Sequence, residues 1–225
     1  MKNLTPLLLC FLLFNFMDAN GQAHKGIGIM AGANISRIQV ANARISTLGE
    51  TIGLNDDFDW QAGAQIGITA TPLVFGEQFS LNTGLAYIQR GASTQALNPT
   101  TLETQEGLIR LQYLSIPVLA RFYATPMLFL EAGPQVAYLL DARSKLKGGS
   151  ESFDLKRTAD NDLDLGLLAG LGVNIHERLS LSLQYYHGLS KLADFQFTDV
   201  NGEAAGNQSW RNRSLQLGLA VEVWQ

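Results

Sequence analysis

Leu163 to Leu189 reads LDLGLLAGLGVNIHERLSLSLQYYHGL, two alternating segments separated by His176-Glu177-Arg178. In the first, Leu163, Leu165, Leu167, Ala169, Leu171, Val173 and Ile175 share one face. In the second, Leu179, Leu181, Leu183, Tyr185, His187 and Leu189 do. Successive side chains of a strand point to opposite faces, so alternation of this length commits the backbone to β structure. Each segment exceeds the ~5–6 residues of an ordinary strand. Each reaches the ~9–11 residues that a tilted strand needs to cross a bilayer. The opposing face is mainly Gly, Ser, Asn and Gln, almost without the Lys and Glu of a water-facing surface. These properties together describe a transmembrane β-hairpin.

The rest of the chain repeats the pattern. Alternating stretches span 25–36, 60–71, 79–90, about 109–123, 128–141 and 212–224, which with the hairpin makes eight strands. Short turns fall at 72–78, 124–127 and 176–178. Long polar segments fall at 37–59, 91–107, 142–161 and 191–211. An even strand count with alternating long and short connections is the layout of an outer-membrane β-barrel. The expected fold is all-β, an eight-stranded antiparallel transmembrane barrel. Short turns and both termini are expected in the periplasm, with four long loops outside.

Met1 to Ala23 has a different character. Lys2 precedes an apolar core from Leu4 to Met17, and Gly21-Gln22-Ala23 supplies small residues for cleavage, as in a secretory signal peptide. The barrel domain is then expected over 24–225. Cys10, the single cysteine, lies inside the apolar core, which argues against lipidation and leaves the exported part without a disulfide. A net charge of −4 gives no footing for nucleic acid.

Alternation alone leaves open which face is inside, since a secreted lipocalin-like barrel also has eight strands with the apolar face inward. Two features point outward. Charge is concentrated in the loops, and the polar strand faces carry few charges, chiefly Arg90, Arg121, Glu131 and Glu222. Those faces are also rich in small residues, which suit the narrow interior of an eight-stranded barrel. The aromatic residues divide into two groups at the expected interfaces. Trp60, Tyr87, Tyr138 and Tyr185 lie towards the loop ends; Phe75, Phe79, Phe122, Tyr123 and Trp224 lie towards the turn ends.

Several segments, in their order and spacing, resemble the PorT-like outer membrane β-barrel domain family of Bacteroidetes. They are GIGIMAGANIS, LNTGLAYIQRGA, LQYLSIPVLARFY, LEAGPQVAYLLDA, LGLLAGLGVNI, LSLSLQYYHGLSKL and SLQLGLAVEVW. The most specific are Tyr113 to Pro117, Ala132-Gly133-Pro134 and Tyr185 to Leu189. The resemblance implies an eight-stranded outer-membrane barrel and an association with protein secretion across that membrane.

The turn at Thr125-Pro126 is expected to bring Arg121 to Glu131, with Arg90 and Glu222 as further members of one structural network. Asp56, Asp57 and Asp59, and Asp160-Asn161-Asp162 with Asp164, are the acidic clusters to consider for calcium, though neither has an EF-hand pattern. A lipid-modifying enzyme is the competing class. His187 and Ser190 are an odd number of residues apart and so occupy opposite faces, a poor arrangement for base and nucleophile. A small-ligand or ion-handling barrel is the other alternative; a packed lumen predicts no open pore. No cofactor or catalysis is expected. The expected partners are outer-membrane lipid and lipopolysaccharide, with envelope or secretion-machinery proteins.

Overall fold

The computed structural model describes residues 25–41, 44–47, 50–53, 58–97, 104–146, 152–156, 162–198 and 204–224. The signal segment, Asp56, Asp57, Asp160 and Asn161 lie outside them. Twelve strands are present among the described residues: β1 Gly26–Ala41, β2 Arg44–Thr47, β3 Glu50–Gly53, β4 Asp59–Phe75, β5 Phe79–Leu97, β6 Thr104–Tyr123, β7 Leu128–Leu146, β8 Ser152–Asp154, β9 Leu163–His176, β10 Leu179–Gly188, β11 Ala193–Thr198 and β12 Ala204–Trp224. Eight of these form an antiparallel ring in the order β1-β4-β5-β6-β7-β9-β10-β12. Pairing of β12 with β1, from Ile27 opposite Trp224 to Ala41 opposite Ser209, closes it. A closed ring leaves no free edge along the paired length.

Alternation sets the faces. On β7 the pattern of exposed and buried residues is nearly strict: Leu130, Ala132, Pro134, Val136, Tyr138 and Leu140 are exposed, while Phe129, Glu131, Gln135, Ala137 and Leu139 are buried. The apolar face is the outer one on all eight ring strands, with Ile29, Ile66, Leu85, Ile116, Leu165, Leu183 and Leu219 among its exposed members. A monomer in water rarely exposes so extensive an apolar surface; a barrel in lipid requires it.

The turns are local. Gly76, with φ +65°, takes the left-handed position between β4 and β5, where a side chain would be strained. Between β6 and β7 the Thr125 hydroxyl accepts from the Leu128 amide at 2.9 Å, and the Pro126 carbonyl accepts from Asn174 Nδ2 at 3.1 Å.

The loop end departs from expectation. Residues 91–107 are mostly strand, because β5 continues to Leu97 and β6 begins at Thr104. β7 runs on to Leu146, and β12 starts at Ala204 rather than 212. Above the belt neither face meets lipid, so pairing continues without apolar alternation. At 21 residues, β12 exceeds a bilayer crossing by about ten, and the ring projects well past its apolar belt. The short strands lie at this end: β2 pairs with β3, β8 with β7, and β11 with β12.

Candidate functional site

The lumen is filled in layers. Nearest the turn between β6 and β7, Tyr123 packs on Phe129 with ring centroids 5.9 Å apart, joined by Val74. Tyr123 therefore faces inward, not into the turn-end girdle. It directly follows Phe122, whose outward side takes Phe79, at 4.9 Å between centroids.

Arg121 and Glu131 sit directly opposite one another on β6 and β7. Arg121 Nη2 and Nε donate to Glu131 Oε2 at 3.0 and 3.2 Å, and Gln184 Nε2 donates to Oε1 at 2.7 Å. The guanidinium lies 3.9 Å over the Phe129 ring. The carboxylate is buried, so this hydrogen-bonded pairing offsets its loss of hydration. Beside the pair is a cavity of about 80 Å³, lined by Gln65, Thr71, Asn82, Gln184 and Gln216 among others. It exceeds the roughly 10–15 Å³ needed for one water and is polar enough to hold several. Glu222 also lines it.

A second polar layer lies higher. Asp164 Oδ2 accepts from Arg90 Nη1 at 3.0 Å and from Asn212 Nδ2 at 2.8 Å, and Oδ1 accepts from the Ser190 hydroxyl at 3.0 Å. Arg90 Nη2 donates to Gln135 Oε1 at 3.2 Å. Its guanidinium lies 3.8 Å over Tyr186 and 5.5 Å from the Tyr113 ring. The side chains of Arg90 and Asp164 are 0% and 6% exposed. Low dielectric strengthens these bonds, although Arg90 Nε and the Tyr186 hydroxyl are buried in the layer without a hydrogen-bond partner among the described residues.

Above it the lumen is apolar. Ile38, Phe58, Ala92, Ile109, Leu111, Leu139 and Ala142 form one cluster, with Leu192 and Trp210 packed against it. Phe58 meets Trp210 edge-on at 5.0 Å. This cap lies at the loop end of the described lumen.

The expected single network is therefore two. Arg121 pairs with Glu131, but Arg90 pairs with Asp164, and Glu222 lies in the lower cavity. The sequence groups Asp164 with the acidic loop residues; its pairing spans 74 residues and leaves no mark in the local sequence. The alternation of β9 does place it on the inward face beside Gly166 and Leu168. Asp162 accepts instead from the Tyr138 hydroxyl at 3.4 Å, on the outside. Among the described residues no group of three metal-ligating side chains converges. Of the girdle residues, Trp60, Tyr87, Tyr138, Tyr185, Phe79 and Trp224 are exposed on the outer face and Phe122 is half-buried there. His187 is exposed on the outer face, whereas the Ser190 hydroxyl turns in towards Asp164.

Solved structures with the same architecture include Neisserial surface protein A, which is 14% identical and has a TM-score of 0.50, with 88% of this chain and 97% of that one covered. Ail of Yersinia pestis, solved with the heparin analogue sucrose octasulfate, is 16% identical at a TM-score of 0.45, covering 89% and 99%. OprG of Pseudomonas aeruginosa is 11% identical at 0.46, covering 91% and 99%. Likeness at these identities concerns the fold alone. No curated protein matches the sequence. The family described as outer membrane protein beta-barrel domain matches residues 20–194, more than half of the chain. This chain, an eight-stranded barrel with an apolar outer belt and a filled lumen, belongs to that family.

Proposed function

We propose that the protein is a closed, non-conducting barrel that works by binding at its loop end, as an anchoring or assembly component of the cell envelope. In this reading both termini are periplasmic and the projecting strands face outward. The observation that carries it is the stacking of two ion-paired layers under an apolar cap, which leaves the projecting β-sheet as the surface available to a partner. The resemblance to PorT-like proteins favours a place in a secretion assembly. Crosslinking and co-purification from native outer membranes, followed by mass spectrometry, tests this. Recovery of secretion-machine components supports it, and a soluble periplasmic protein would defeat it.

The closed lumen predicts no steady conductance in planar bilayers; large, reproducible currents would overturn the non-conducting reading. The reading as a non-enzyme is supported by the separation of His187 from Ser190, whose hydroxyl donates to Asp164. Lipid A with an unchanged mass spectrum after gene deletion is the expected result.

A further inference from the structure

On the β1, β10 and β12 side, the outer face turns from aliphatic to cationic in a single step. Ile35 lies opposite Leu215; two residues nearer the loop end, Arg37 lies opposite Arg213. Arg211 follows two residues beyond on the same face, and His187 meets Arg213 from β10. Like charges directly across a strand pair repel. Among the described residues no salt bridge neutralises Arg37, Arg211 or Arg213. The Nε atoms of Arg37 and Arg211 are buried without a hydrogen-bond partner. Arg213 is only 5% exposed, and its Nη1 donates to the backbone carbonyls of Gly188 and Asn212 at 2.7 and 3.1 Å, which holds the group but does not cancel its charge. A second facing pair, Arg110 and Arg143 on β6 and β7, is different: Asp141 accepts from Arg143 Nε at 2.9 Å.

The height of the cluster is marked by Trp60, a loop-end girdle residue, whose ring centroid lies 5.0 Å from the Arg37 guanidinium. Indole rings of such girdles sit at the level of lipid headgroups. Guanidinium forks match phosphate oxygens in a bidentate manner. Immediately below, Ile35, Leu215 and Tyr185 are exposed and apolar, a track for acyl chains.

We propose that Arg37 and Arg211, with Trp60 and with the charge of the largely buried Arg213 beside them, form a docking site for the phosphorylated headgroup of a lipid of the lipid A type, its chains lying along Ile35, Leu215 and Tyr185. Continuity between the cationic cluster and the apolar belt selects a lipid over a soluble polyanion, which would leave the belt unused. The proposal rests on the membrane placement above.

The test is a titration of the purified barrel in detergent with diphosphorylated lipid A, read by native mass spectrometry. Arg37→Gln with Arg211→Gln is the test variant, because Arg213 also holds backbone; Arg110→Gln is the control. Each arginine removed should weaken binding about tenfold, so about a hundredfold for the pair, with the control unchanged and dephosphorylated lipid A bound poorly by wild type. In lipid-free detergent the test variant should unfold at no lower urea concentration than wild type; a lower midpoint would assign these arginines to the barrel's own stability and overturn the site. Unchanged lipid A affinity in the test variant would overturn it too. Inorganic phosphate or sucrose octasulfate competing as effectively as lipid A would overturn the lipid assignment. The titration does not depend on orientation. A cysteine placed at Glu177 and labelled from outside intact cells would sink the orientation alone.

Discussion

Asp164 is the position where one substitution should expose how the lumen is held. Its carboxylate accepts from Arg90, Asn212 and Ser190. In Asp164→Ala the Arg90 guanidinium stays buried, keeping Gln135 and the face of Tyr186 but losing its counter-charge. Breaking a buried pair from one side costs about 3–5 kcal/mol, because the remaining charge is uncompensated. Against a typical domain stability of about 5–15 kcal/mol this is a large fraction. Arg90→Met with Asp164→Ala removes both charges. Replacing a buried pair by apolar side chains is often neutral or stabilising, although here Asn212 and Gln135 each lose a partner, at about 1–3 kcal/mol apiece. The double variant should therefore be no less stable than Asp164→Ala, so the coupling should be at least the cost of Arg90→Met alone, about 3–5 kcal/mol. Urea unfolding in lipid vesicles, followed by tryptophan fluorescence, measures all four corners of the cycle. Trp210 packs on the cap above this layer and reports on it. A cost below about 1 kcal/mol for Asp164→Ala, or single effects that simply add, would refute the argument.

Other consequences can be checked in the same assay. Glu131→Leu should cost about 3–5 kcal/mol, and Arg121→Leu added to it should recover most of that; a double variant that fails to fold while both singles fold would exclude the pairing. Leu219→Arg, at the middle of the outer belt on β12, should cost about 2–4 kcal/mol in a bilayer, whereas no such penalty in lipid would contradict the lipid-facing assignment. Gly172→Ala places a Cβ against the Phe129 ring and the Leu181 carbonyl, and should destabilise by about 1–3 kcal/mol. Phe129→Leu in that background should restore part of the loss by freeing space; if it adds a further loss instead, the clash is not the cause.

The eight spans and their lipid-facing sides were legible in the sequence because each ring strand separates two different environments. Lipid outside admits Leu, Ile and Val. A narrow lumen admits Gly, Ser and Gln, so period two is written into every crossing. The assignments of Leu114, Ile116 and Val118 outward and Tyr113, Ser115 and Leu119 inward follow from that alone, even on β6 where both faces carry apolar residues. Arg121 and Glu131 were also legible, since a tight turn fixes which residues of neighbouring strands meet. Where lipid no longer constrains the outer face, the pattern fades: Gly91 to Leu97 and Ala204 to Arg211 read as loop yet pair as strand.

What the tertiary structure decided is everything that depends on ring closure. Arg90 reaches Asp164 across 74 residues, and Asn212 donates to the Tyr113 hydroxyl across 99. Phe58 and Trp210 become a cap, and Arg37 comes to face Arg213, because β12 returns to β1. Alternation tells each residue which solvent it faces. Which side chain it meets there is set by the register and curvature of the closed barrel, which no single strand contains.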